Sequence, residues 1–200
     1  MGLSKHTSLS ILLLIMVFVA GVLAGTFLAN PDWMCPKCSF SDADAIAPLI
    51  NDQYAEGVIK EINSAESSID IIMYQMKSYD SNNSVAQLEK ALIARVKEGV
   101  SVRVLLDNQE TNGKPTSLTK ENLKTKAYLE ENGIKVFMDS AKTTTHDKLL
   151  IIDGKVVVIG SHNWSFSAFE SNNEASVIIK DPEIAAYYKN YFENLWEKYH

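Results

Sequence analysis

The stretch His146-Asp147-Lys148-Leu149-Leu150-Ile151-Ile152-Asp153-Gly154-Lys155-Val156-Val157-Val158-Ile159-Gly160-Ser161-His162-Asn163 decides the fold. Its first run, His146 to Ile152, reads as a strand, and Asp153-Gly154 is a hairpin turn signal. Val156 to Ile159 then runs back antiparallel to it. A strand alternates its side chains between two faces, so His146 and Lys148 point the same way. The returning strand delivers Gly160, Ser161 and Asn163 to the same end. Asp153 falls on the opposite face from His146, at the far end of the first strand.

Outward from this hairpin, the chain alternates strand and helix patterns. Upstream, Ala45 to Ala65 carries Ile46, Leu49, Ile50, Tyr54, Val58 and Ile62 near helical spacing, which predicts a helix. Ser68 to Met76 predicts a strand, Ser84 to Glu98 a helix stopped by Gly99, and Val100 to Leu106 a buried strand. Asp107 to Thr119 is polar and reads as a loop around Asn112-Gly113-Lys114-Pro115. Lys120 to Asn132 predicts a helix and Ile134 to Met138 a strand. Downstream, Ala175 to Ile179 predicts a strand, and Asp181 opens a last helix through Tyr199. The order defines an α/β domain: a mixed β-sheet sandwiched between helices, spanning residues 45–200.

The 200 residues carry 46% hydrophobic and 22% charged side chains, a folded composition that rules out wholesale disorder. Net charge is −6, and only Lys5 among the basic residues precedes Asn30, so the domain itself is acidic. A protein coated in positive charge for nucleic acid is excluded; a local basic groove is not. Two cysteines cannot build a disulfide framework or a four-cysteine zinc site.

Leu9 to Ala29 is 21 residues without a charge, enough for a helix to cross a hydrocarbon core. Residues 1–30 therefore read as a transmembrane anchor. A signal peptide cleaved near Val22-Leu23-Ala24 is the alternative, and the length of the run favours the anchor. Lys5 before it and Asp32, Lys37, Asp42 and Asp44 after it place the domain outside the cytoplasm. After cleavage the domain would be secreted or periplasmic. Residues 31–44 form a polar linker holding Cys35-Pro36-Lys37-Cys38, a tether with two thiols and no second pair to complete a zinc site.

The hairpin end concentrates one imidazole, one fixed cation, one hydroxyl and one amide. A phosphodiester wants this set: Lys148, Ser161 and Asn163 can stabilise its non-bridging oxygens, most strongly in the transition state. A neutral imidazole at His146 can attack phosphorus and form a covalent phosphohistidine. Gly160 permits close backbone approach. No carboxylate cluster is required, so neither a metal ion nor another cofactor is implied.

His-x-Lys-x4-Asp-x6-Gly-Ser-x-Asn is the signature of the phospholipase D superfamily, and residues 146–163 resemble it at every specified position. The resemblance extends over about residues 45–200 by element order, and is nearest the small single-motif endonucleases. The layout of anchor, cysteine pair and single motif also resembles the mitochondrial cardiolipin hydrolase branch. That branch carries a fuller zinc-binding insertion than Cys35 and Cys38 provide. The resemblance implies that His146 is the nucleophile and that Lys148, Ser161 and Asn163 bind phosphate. It also implies that Glu174 bonds the other ring nitrogen of the nucleophile, and that Asp153 is structural. His162 occupies a variable position.

Three functions stay open on the sequence. A nuclease acting on DNA or RNA leads, supported by the short single-motif domain and by Lys114, Lys120, Lys124 and Lys126, which otherwise form a solvated helix face. A membrane phospholipase acting on lipids such as cardiolipin is the alternative, supported by the anchor and the acidic charge. A non-catalytic nucleic-acid-binding scaffold is the third, and the intact motif opposes it. Trp164, Phe166 and Phe169 read either as a wall facing substrate or as anchors of a short helix in the core. Two-motif relatives use a second motif histidine to protonate the leaving oxygen, and this chain has none. A homodimer sharing one site, with His146 contributed twice, is therefore expected.

Overall fold

A computed structural model describes residues 45–200 of the chain. The expected membrane anchor and the Cys35–Cys38 linker lie outside the described residues. Among the described residues, no helix is long and apolar enough to cross a membrane.

Seven strands form one mixed sheet in the order β1-β9-β8-β7-β2-β3-β6. They are β1 (Ile46–Ile50), β2 (Ser68–Met73), β3 (Ser101–Leu106), β6 (Lys135–Met138), β7 (Lys148–Ile152), β8 (Val156–Gly160) and β9 (Ala175–Lys180). Glu110–Thr111 (β4) and Lys114–Pro115 (β5) form a separate small hairpin. The helices are α1 (Gln53–Asn63), α2 (Ser84–Lys97), α3 (Ser117–Glu131), α4 (Phe166–Glu170) and α5 (Pro182–Tyr199). Strands β2, β3 and β6 run parallel, while β7, β8, β9 and β1 continue the sheet antiparallel.

Strand periodicity divides the core in two. Ile69, Ile71 and Met73, with Leu150 and Ile152, pack against α1 and α2 through Val58, Ile62, Leu88 and Leu92. The alternate residues Ile72, Leu105, Leu149, Ile151 and Val157 pack against Ala185, Phe192 and Trp196 of α5. Central strands buried on both faces are predominantly apolar, as Leu149 to Ile152 shows. The sheet is therefore sandwiched between helices, as the sequence predicts. On the α5 face one polar network is admitted. Arg103 donates to buried Asp70 (2.7 Å) and bidentately to Glu193 (3.0 and 2.6 Å), with Lys189 bonding the same Asp70. Each charge in it has a partner, which makes the burial tolerable.

Element ends follow local chemistry. Asn83 caps α2 by accepting from Ala86 N (3.0 Å), and Asp181 caps α5 by accepting from Glu183 N and Ile184 N (2.8 and 3.0 Å). Pro182 follows at the first helical position, where its missing N–H is harmless.

Three expectations are corrected. Ala45 to Ala65 is not one helix, because Ile46–Ile50 is an edge strand paired antiparallel with β9. Pro48 is the reason: inside a helix it would remove a hydrogen bond and clash, whereas an edge strand accepts it. Asn51 (φ 50°) turns the chain into α1. The polar stretch after Asp107 is shorter than expected, because Thr116 caps α3 and starts it at Ser117. Finally, strand β7 begins at Lys148, so His146 stands on the loop that enters it.

Candidate active site

The turn joining β7 and β8 is fixed by Asp153. Both Asp153 and Gly154 have positive φ (53° and 62°), which a short polar residue and a glycine tolerate. The Asp153 carboxylate accepts from Glu66 N, Ser67 N and Ser67 Oγ (2.8 Å each) and from Ser68 N (2.9 Å). Partial burial raises its pKa, but these donors outweigh that and hold it below the usual carboxylate value. Asp153 thus staples the hairpin to the start of β2, far from the other motif residues.

At the opposite end the chain positions the remaining motif residues. Tyr74 N donates to Asp147 O (2.9 Å), extending the β2–β7 ladder up to the residue after His146. Lys148 is buried, and its ammonium donates to His146 O (2.8 Å) while lying 3.2 and 3.3 Å from the two ring nitrogens. Tyr74 lies beneath both: its ring is 4.4 Å from the His146 ring and 4.8 Å from Lys148 Nζ. Burial lowers the Lys148 pKa, opposed by the charges of Asp147, Glu174 and Asp107. His146 itself is exposed to solvent.

Gly160 sits where β8 meets β9. A Cβ there would stand 2.1 Å from Ser176 Oγ and 2.4 Å from Ser176 Cα, so only glycine allows this approach. Ser161 follows, accepting from Ala175 N (3.1 Å) and donating to a Glu174 carboxylate oxygen. Asn163 Oδ1 is buried without a hydrogen-bond partner among the described residues. Trp164 and Phe169 enter the core, whereas Phe166 stays half exposed on α4. The aromatic residues therefore anchor a short helix and leave only Phe166 outward.

His162 is more than a neighbour of the motif. Its buried ring stacks on Tyr54 (4.3 Å between centroids) and donates from Nε2 to Asn51 O (3.1 Å). That bond leaves Nδ1 to accept from Ser176 Oγ (2.7 Å). Burial lowers its pKa, against the Asn51 bond and the charge of Glu174, which keeps the ring neutral. His162 therefore locks the Ser161–Asn163 loop to α1 and β9.

The expected bond from Glu174 to the His146 ring is corrected. The Glu174 carboxylate accepts instead from Ser161 Oγ and from Asn172 Nδ2 (2.9 Å), and its backbone N–H donates to Asn51 Oδ1 (2.8 Å). Register is the physical cause: Gly160 pairs with Ser176, so Ser161 meets Ala175 and the preceding Glu174 reaches the Ser161 hydroxyl. Its charge still acts on Lys148. Three residues near the site escape sequence reading: Tyr74, Asp107 and Asp139. Each is a polar residue closing an apolar strand, and that position at a strand end is the only signal they leave.

A cation held against an imidazole and beside neutral donors suits a tetrahedral anion. The chain belongs to the phospholipase D superfamily of phosphodiesterases: residues 58–196 match the family described as "Cardiolipin synthase, PLD-like domain". Among curated relatives, the mitochondrial cardiolipin hydrolase of Chlamydomonas reinhardtii is 28% identical over 138 residues, covering 69% of this chain and 55% of that one. A phospholipase D of Rickettsia prowazekii is 32% identical over 136 residues, covering 68% and 59%. The chain thus spans a little over half the length of these relatives. Among solved structures, Nuc from Salmonella typhimurium, a phospholipase D family member, superposes with a TM-score of 0.63 at 24% identity. That match covers 78% of this chain and 97% of that one, and shows the shared fold.

Proposed function

We propose that the chain hydrolyses phosphodiester bonds through a covalent phosphohistidine on His146, and that its substrate is DNA or RNA. The observation that carries this reading is the Lys148 ammonium buried against the His146 ring at the exposed end of the β7–β8 hairpin. An anion reaching this cation recovers the stabilisation that burial denies it. In the first step a ring nitrogen of His146 forms a bond to phosphorus, and the phosphorus–oxygen bond to the leaving group breaks. A general acid gives that oxygen its proton. Water then attacks phosphorus, breaks the phosphorus–nitrogen bond and regenerates the imidazole.

The acid must come from elsewhere. His162 and His200 are each engaged within the chain, at Asn51 and Ser176 and at Trp196 respectively. A two-fold homodimer that apposes the exposed His146 of each protomer supplies one nucleophile and one acid. The Ser161–Asn163 loop would enter that interface from both sides.

A polymer backbone suits an open polar site. His146, Ser161 and Asn172 are exposed, and Asn122 ties α3 to the site end by donating to Tyr74 O (2.8 Å). That helix and the preceding hairpin carry the exposed Lys114, Lys120 and Lys124, whereas Lys126 is engaged by Glu130 and by Val136 O (2.7 Å). A phospholipid substrate is the second reading. It is favoured by the names of the curated relatives and by the apolar run Leu9–Ala29, which we propose anchors the chain in a membrane. The full chain, purified in detergent, should be offered plasmid DNA, single-stranded DNA, RNA and cardiolipin vesicles, all with chelator present. Cleavage of nucleic acid with silent vesicles supports the nuclease reading; the reverse replaces it. Turnover of neither, or turnover only after a divalent ion is restored, overturns the mechanism.

A further inference from the structure

Strands β3 and β6 are parallel, with Leu106 paired to Met138, so Asp107 and Asp139 stand side by side one residue further on. Both are buried, at 0% and 4% exposure. Asp107 Oδ1 accepts from Thr145 N (2.7 Å), and Asp139 Oδ1 accepts from Asn108 N (2.6 Å). The second oxygen of each carboxyl is buried with no partner among the described residues. Thr145, itself buried, immediately precedes His146. The loop from Asp139 to Thr145 is thus held at both ends by this carboxyl pair.

Two adjacent buried carboxylates, each with an unmet oxygen, are unfavourable as a purely structural device, because a pair of asparagines would staple the loop without burying charge. A charge kept in such a place needs a cation to act upon, and Lys148 is that cation. We infer that Asp107, with Asp139 beside it, is a positioning residue of this site: it clamps the amide preceding His146 and supplies buried counter-charge to Lys148. The inference rests on the proposed function for what the positioned pair does, and on geometry alone for the positioning.

The groups facing the pair come from several elements. Lys148 faces Asp107 from the start of β7, with Asp147 and Glu174 acting on Lys148 in turn, and Lys198 faces Asp139 from α5. Tyr74 and Asn122 are neutral neighbours, and Asn122 Nδ2 donates to Asp107 O (2.9 Å). Burial pushes the Asp107 carboxyl up to about 6, with the charge of Asp139 adding to it against the Thr145 bond and Lys148. Burial raises Asp139 as well, against its Asn108 bond and the charge of Lys198. The pair therefore holds a proton in acid and releases it near neutrality. On release, the new negative charge favours the Lys148 ammonium.

The test uses the full chain in detergent, with carboxyl-labelled Asp and ε-labelled Lys followed by carbon NMR. Asp107→Asn keeps an oxygen for the Thr145 amide and removes the charge. Asp107 should titrate near pH 6 in the wild type and lower in Asp139→Asn. Lys148 should titrate roughly half a pH unit or more lower in Asp107→Asn than in the wild type. With bis(4-nitrophenyl) phosphate as probe, the alkaline limb of kcat should move acidward by the same amount while KM changes less than about twofold. Asp107 titrating with ordinary carboxylates, or Lys148 unmoved in Asp107→Asn, overturns the inference. Failure of the wild type to turn over any phosphodiester would instead overturn the proposed function, and the two NMR titrations would still decide the role of Asp107.

Discussion

The β7–β8 hairpin has two ends that treat charge in opposite ways. At the turn, Asp153 accepts from four donors and its carboxyl is held low. At the other end, Lys148 is buried against an imidazole, Asn163 Oδ1 has no partner, and Asp107 and Asp139 each keep an unmet oxygen among the described residues. Both ends belong to the same motif and are joined by the same two strands. The difference separates folding from chemistry: the carboxylate at the turn has its donors and holds structure, whereas polar groups at the site end keep unmet capacity. The Asp70–Arg103–Glu193–Lys189 network repeats the lesson on the sheet's α5 face, where every charge has a partner.

The sharpest break between the ends is mutational. His146→Ala should lower kcat by roughly 10^4-fold or more with the melting temperature unchanged, because an exposed loop side chain carries little packing. Thermal melts beside single-turnover assays check both halves. Near-normal turnover in that variant would remove the nucleophile from His146. Gly160→Ala should do the reverse of His146→Ala, striking the fold. Its Cβ would press on the Ser176 backbone at 2.4 Å, which should destabilise the domain by roughly 3 kcal/mol in urea melts. An unchanged urea midpoint would mean that β8 and β9 separate easily at this crossing.

Asp153→Ala tests the structural end alone. Losing an anionic acceptor of four bonds should destabilise by roughly 2 kcal/mol at pH 7, while kcat of the folded fraction stays near wild type. The pH sign follows from a lowered pKa: the contribution is present above the unfolded value near 4 and is lost as pH falls below it. The gap between wild type and variant should therefore close in acid. A large loss of kcat without loss of stability would place Asp153 in the chemistry and dissolve the contrast.

Legibility in the sequence follows the same division. The apolar runs around Asp153-Gly154 announce the hairpin because strands buried on both faces are predominantly apolar, and the hairpin turn brings His146 and Lys148 to the same end as Gly160 and Ser161. Pro48 marks Ile46–Ile50 as an edge strand, yet the spacing of Ile46, Leu49 and Ile50 imitates a helix, so the strand is masked by its own apolar residues. Glu174 is legible as an acid before β9, but its partner depends on the β8–β9 register, which no local pattern encodes. Asp107, Asp139 and Tyr74 become neighbours only when parallel strands align. Long-range register is the missing information.

The last comparison concerns a carboxyl that is buried and yet partnered. Glu89 of α2 is 2% exposed and accepts from Ser78 Oγ (2.6 Å) in the loop that follows β2. Burial pushes its carboxyl up to about 7, with the Ser78 bond acting against the rise. A raised carboxyl stabilises the fold while protonated, so its contribution is whole below the unfolded value near 4.3 and is lost as pH rises through about 7. Glu89→Gln stays neutral throughout. The variant should match wild type at pH 4 and exceed it by about 2 kcal/mol at pH 8 in urea melts, with kcat unaltered at either pH. Parallel stability curves for the two proteins would mean that Ser78 fully satisfies the ionised group. Glu89 would then join Asp153 among the settled charges, and unmet carboxyl chemistry at this end of the sheet would narrow to Asp107 and Asp139.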